Sequence, residues 1–227
     1  MLIPIKDDNP TRRTPYVTYT IVALNIFVFI IQLMVQMSGD RQLYGHLIAN
    51  YALIPGRLFT GNLIDSTVIP FFSSIFMHGG LLHLGGNLLY LWIFADNIES
   101  ELGHSKFLLF YLLCGIGASV TQVVVNWGAM IPIIGASGAI SGVLGAYYLR
   151  FPRARVAVIL FIFFFIQMIW IPAKIVLGLW FFIQIFSGLL SAGSGGGGVA
   201  WFAHIGGFVA GIVFFNLLSL VRMNYSR

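Results

Sequence analysis

Three short stretches of this 227-residue chain carry side chains whose types and spacing could do chemistry. Ser137 stands between Ala136 and Gly138 in IIGASGAISGVLGA, a hydroxyl with almost no bulk beside it. His204 stands in WFAHIGGFVAG, and His83 with Asn87 in MHGGLLHLGGN. A serine hydroxyl becomes a nucleophile when an imidazole takes its proton. An imidazole and a carboxamide four residues apart share a helix face. They can donate to the negative charge that develops on an acyl oxygen, together with backbone N–H groups left open at a helix start. Each residue also has a purely structural use. A serine in a membrane helix bonds its own preceding carbonyl, and His83 with Asn87 could tie two helices together. Whether chemistry is possible depends on the elements that position these residues.

Those elements are membrane spans. Hydrophobic residues make up 59% of the chain and charged ones only 8%, with a mean hydropathy of +0.93, far from the composition of soluble domains. The length accommodates about six spans of roughly 20 residues, so one membrane domain over 1–227 is expected. Apolar runs predict spans over about Tyr16–Met37, Phe71–Ala95, Phe107–Asn126, Ser137–Arg150, Pro172–Ser191 and Ala200–Val221. The fold class expected is an all-α polytopic bundle of six transmembrane helices, preceded by a short polar segment over about 1–15.

The 12 Lys and Arg residues lie at the ends of apolar runs, as the positive-inside rule arranges them, which argues against nucleic-acid binding despite a pI near 9.6. The fourth span ends in RFPRAR and the sixth in VRMNYSR, so both run outside to inside and one crossing separates them. VAVILFIFFFIQMIW is therefore expected as a hydrophobic loop in the cytoplasmic interface, anchored by Trp170 and Lys174. Only Arg41 and Arg57 then lie outside, and both termini are cytoplasmic. The expected location is a multi-pass protein of a prokaryotic inner membrane, its first span a retained anchor. Cys114 is a lone cysteine, so it forms no intramolecular disulfide.

Depth sorts the polar residues. Ser137 opens the fourth span, His204 lies early in the sixth, and His83 with Asn87 occupies the outer half of the second, all toward one leaflet. Polar groups in lipid are costly and face a protein interior or a water-filled cavity. Gly138 with Gly142, and Gly207 with Gly211, form GxxxG pairs that let helix backbones approach closely. His204, Gly207 and Gly211 share one face, so the fourth and sixth helices could bring the Ser137 hydroxyl to the His204 imidazole. His78 is expected at the loop junction in a supporting role. No H-E-x-x-H and no pair of membrane aspartates is present, so neither a metal nor another cofactor is expected. The seven acidic residues lie outside the spans or at their ends, which leaves a dyad without a carboxylate.

MHGGLLHLGGN (Met77 to Asn87), GASG (Gly135 to Gly138) and AHIGGFVAG (Ala203 to Gly211) together resemble the three motifs of the rhomboid intramembrane serine proteases. The resemblance implies Ser137 as nucleophile, His204 as base, and His83, Asn87 and backbone N–H groups as the oxyanion hole, with transmembrane proteins as substrates and a preference for small residues before the cut. It also implies that LYGHLIANYALIPGRLF dips into the membrane and that the fifth span and SAGSGGGGVAWFA form a gate and cap. One departure concerns Ser141, where some family members have an aromatic residue that stacks on the histidine. The alternatives are a non-catalytic relative that binds membrane clients, and a transporter, which would be expected to show inverted repeats or broken helices at midplane.

Overall fold

The structure, a computed structural model, describes residues 2–162, 165–191 and 198–223. Strand β1 (Leu2–Asp7) leads into α1 (Tyr16–Met37), and α2 (Arg41–Tyr51) follows across a turn capped by the Asp40 carboxylate. A π turn over Ile64–Val68, the short α3 (Ile69–Ser73) and a 3₁₀ turn lead to α4 (Leu81–Leu102). Then come α5 (His104–Val125), α6 (Ser137–Arg150), strands β2 (Arg155–Ile162) and β3 (Phe165–Pro172), α7 (Ala173–Ser191) and α8 (Trp201–Met223).

Among the described residues four helices, α1, α5, α7 and most of α8, are long and apolar enough to cross a membrane. A fifth crossing is available if the pair Ile64–Phe76 and Leu81–Leu102, bent by 79°, counts as one broken span. The expected second span over Phe71–Ala95 is thus corrected. Its first part breaks at His78-Gly79-Gly80, and α4 runs on to Leu102. The break is held by a tertiary contact: Gln32 of α1 grips the His78 backbone, accepting from its N–H at 2.9 Å and donating to its carbonyl at 3.3 Å. Those backbone groups are satisfied outside any helix.

Helix α6 has only 14 residues, about 21 Å at 1.5 Å per residue, shorter than the ~30 Å hydrocarbon core. It needs no more length, because Gly138 to Tyr147 are all buried by protein rather than lipid. Helices α5 and α8 pack closely on it. The Gly142 carbonyl occupies the place of a Cβ on Gly211, and the Phe208 carbonyl that of one on Gly145. Backbone meets backbone, as small-residue helix interfaces allow.

VAVILFIFFFIQMIW departs from the expected loop. Its described residues form the antiparallel pair β2–β3, and β1 adds to it as an antiparallel strand running from Leu2 opposite Leu160 to Asp7 opposite Val156. The bundle therefore carries a three-stranded sheet at one end. A run of β-branched and aromatic residues fits a pleated surface, and β1 gives its backbone groups a partner. Val156, Ala157 and Val158 are buried against the bundle, and Lys6 lies 5.4 Å over the Trp170 ring. The pairing gathers the start of α1, the end of α6 and the start of α7 at one end of the molecule, with Ser137 at the far end of α6.

Helix α1 lacks a side-chain cap of its own. Glu99, buried on α4, supplies one by accepting from Val17 N–H at 2.9 Å, Thr18 N–H at 2.8 Å and the Thr18 hydroxyl at 2.7 Å. His104 closes the carboxylate's remaining side at 2.6 Å.

Candidate active site

Ser137 is the first residue of α6, where the helix N–H groups have no intrahelical partner. An antiparallel bridge between Leu53 and Ile133 ties the segment before it to the chain that follows α2. The Gly135 N–H is fixed to the Ser74 carbonyl at 2.9 Å. Gly135 has φ +131°, a region that favours glycine, and the His83 ring fills the space a Cβ would take there.

His204 lies one turn into α8 and is buried. Its Nε2 accepts from the Ser137 hydroxyl at 2.8 Å. The approach is permitted by glycine, since the Gly138 carbonyl stands where Gly207 would otherwise carry a Cβ. The other ring nitrogen, Nδ1, donates to Gln184 Oε1 on α7 at 2.8 Å. The Trp180 and Trp201 rings flank the imidazole at 5.8 Å and 6.3 Å. Ser141, in place of a stacking aromatic residue, turns its hydroxyl to the Ser137 carbonyl at 2.6 Å.

His83 and Asn87 face the same cavity from α4. His83 Nδ1 accepts from the Gly79 N–H at 3.4 Å, so the proton of a neutral ring lies on Nε2, which sits over Gly135 beside Ser137. Asn87 Nδ2 donates one hydrogen to His78 Nε2 at 2.9 Å, leaving its second. His78 is buried at the junction before α4, and its Nδ1 donates to the Phe76 carbonyl at 3.3 Å. The chain Gln32–His78–Asn87 thus ties α1 to the carboxamide. His83, Asn87, Trp180, Gln122, Ser137 and His204 are among the residues that line a cavity of about 1230 Å³.

A rhomboid-domain family model matches residues 65–220. The chain belongs to the rhomboid family. Over 136 residues it is 32% identical to the human presenilin-associated rhomboid-like protein of mitochondria, covering 54% of this chain and 36% of that protein. It is 35% identical over 99 residues to the mitochondrial rhomboid protein 1 of Saccharomyces cerevisiae, covering 42% and 28%. It is 33% identical over 132 residues to the rhomboid protease GluP of Bacillus subtilis, covering 58% and 24%. The matched stretch spans about a third or less of these relatives' own lengths.

Of the polar residues singled out in the sequence, Ser137, His204, His83 and Asn87 line one cavity in this rhomboid, and His78 stands behind Asn87, bonded to it. Gly138, Gly207 and Gly211 lie in the α6–α8 contact beside it. Two residues escaped the sequence reading: Gln32, which holds His78, and Gln184, which holds His204. Both are buried polar residues in largely apolar helices, the pattern that marks interior-facing groups. The proposed cap over SAGSGGGGVAWFA lies partly outside the described residues, since 192–197 are not among them. Among the described residues no group of His, Cys, Asp and Glu is arranged to hold a metal ion.

Proposed function

We propose that this rhomboid is an intramembrane serine endopeptidase that cuts transmembrane segments of membrane proteins near the outer leaflet. The observation that carries the reading is the 2.8 Å hydrogen bond from the Ser137 hydroxyl to His204 Nε2 in the lining of a large cavity. Ser137 Oγ attacks a peptide carbonyl as His204 Nε2 takes its proton. The oxyanion meets the α6 N-terminal N–H groups, the His83 Nε2–H and the free Asn87 N–H. The C–N bond then breaks, His204 returns the proton to the leaving amine, and a water activated by His204 hydrolyses the acyl ester.

The cavity exceeds the ~300–1,000 Å³ of small-molecule pockets, which suits a stretch of polypeptide. A helix hides its carbonyls in its own hydrogen bonds, so the cut falls where a substrate span unwinds near the cavity mouth. The family and its bacterial protease relative support the class of reaction. The distribution of basic residues supports six crossings with both termini cytoplasmic, and a prokaryotic inner membrane is the location proposed.

The test is covalent labelling of the detergent-solubilised protein by a serine-directed fluorophosphonate, beside cleavage of a single-span reporter. Wild type should label and cleave, while Ser137→Ala and His204→Ala should do neither at unchanged melting temperature. Cleavage by Ser137→Ala would eliminate the serine mechanism.

A further inference from the structure

His204 has two nitrogens, and only one of them faces the nucleophile. A neutral imidazole carries its proton on either, and the wrong tautomer would point a hydrogen at the Ser137 hydroxyl instead of a lone pair. Something must choose. No acidic side chain does so among the described residues: the two ring nitrogens of His204 meet Gln184 and Ser137. Trp180 and Trp201 offer the ring apolar walls, and Ser141 is turned to a carbonyl of its own helix.

The remaining polar contact is Gln184. Its side chain is buried, with 5% of its surface exposed. An amide could present either its oxygen or its nitrogen to His204, and the choice here is made within α7. Gln184 Nε2 donates to the Trp180 carbonyl one turn back at 3.2 Å, which leaves Oε1 for His204 Nδ1 at 2.8 Å. An oxygen accepts only, so the imidazole proton is held on Nδ1 and the Nε2 lone pair on Ser137.

Resting on the proposed protease reading, we propose that Gln184 is the positioning residue of the dyad. It serves as a neutral third member that selects the catalytic tautomer of His204 and fixes the ring plane. It touches neither substrate nor reacting atoms. A neutral amide suits this depth, because a buried carboxylate without full compensation is costly.

Gln184→Met keeps an unbranched side chain of similar length but removes the acceptor, and Gln184→Glu restores an acceptor oxygen at the same reach. Both are compared with wild type for kcat, KM, rate of fluorophosphonate labelling and melting temperature. Gln184→Met is expected to lower kcat and the labelling rate about tenfold, the effect of losing a hydrogen bond at the upper end of the usual range. KM should stay within about twofold, because no substrate contact is lost. Gln184→Glu, taken up at this depth as the neutral acid with its O–H toward the Trp180 carbonyl, should recover most of that loss. Counting labelled sites corrects for any misfolded fraction. A Gln184→Met protein with wild-type kcat per labelled site, or a Gln184→Glu protein as slow as Gln184→Met, would overturn the assignment. Absence of cleavage and labelling in wild type would instead sink the protease reading itself, so the two failures are distinct.

Discussion

The Gly138 carbonyl on α6 and Gly207 on α8 lie so close that the oxygen stands where a Cβ of residue 207 would be. That contact sits beside the Ser137–His204 hydrogen bond, with Gly138 next to Ser137 and Gly207 three residues after His204. Gly207→Val should push α8 away from α6, at an overpacking cost of about 1–3 kcal/mol. Labelling of Ser137 is expected to drop more steeply than the yield of folded protein. Normal cleavage per folded molecule would show that the pair tolerates a wider helix separation than a hydrogen bond spans.

Asn87 separates two roles. As an oxyanion donor, its replacement in Asn87→Ala should cost about 2.7–4 kcal/mol, or roughly 10²–10³ in kcat, with substrate binding little changed. Its bond to His78 also ties α4 to the Gln32 clamp on α1. A loss confined to that tie would lower the melting temperature and preserve turnover per labelled site. Measuring both on one sample decides; an early-melting variant with normal turnover removes Asn87 from the oxyanion site.

At the opposite end, burial lifts the Asp7 carboxyl from 3.8 to about 6, the Tyr147 hydroxyl bond offsets part of the rise, and Asp96 and Asp8 add repulsion. The folded protein then keeps a proton that the unfolded chain has already released. The stabilisation is full below 3.8 and is lost as pH rises through about 6. Asp7→Asn, which keeps an acceptor for Tyr147 without the charge, should raise the melting temperature relative to wild type more at pH 8 than at pH 5. An equal change at both pH values would mean that Asp7 is not the group that titrates.

Much of this site was legible because its residues break a rule. Ser137, His204 and Asn87 are polar groups in apolar spans, and their glycine neighbours announce close backbone approach. Gln184 breaks the same rule, but its partner lies 20 residues away on another helix, and only the packing of α7 on α8 makes the contact. The β2–β3 pair was hidden for a different reason. A run apolar on every residue has no period, so VAVILFIFFFIQMIW reads equally as loop, strand or helix. Its partner β1 is short, contains Pro4, and lies about 150 residues upstream. The bend before α4 was hidden too, because the grip of Gln32 on the His78 backbone is a tertiary contact.

Strand β1 also imposes an order of events. A chain made and inserted span by span produces Leu2–Asp7 first and their partners Val156–Leu160 only after the six helices α1 to α6 have been made. At about 5–20 residues per second, the first strand waits on the order of 10–30 seconds with its ladder unpaired. Closure of the sheet is a high-contact-order step, and it is possible only when the ends of α1, α6 and α7 have arrived on the same side of the bilayer. A chain with one span inverted would leave β1 and β2 on opposite sides of the lipid. The sheet thus works as a topological checksum, a clasp that can fasten only on a correctly threaded molecule.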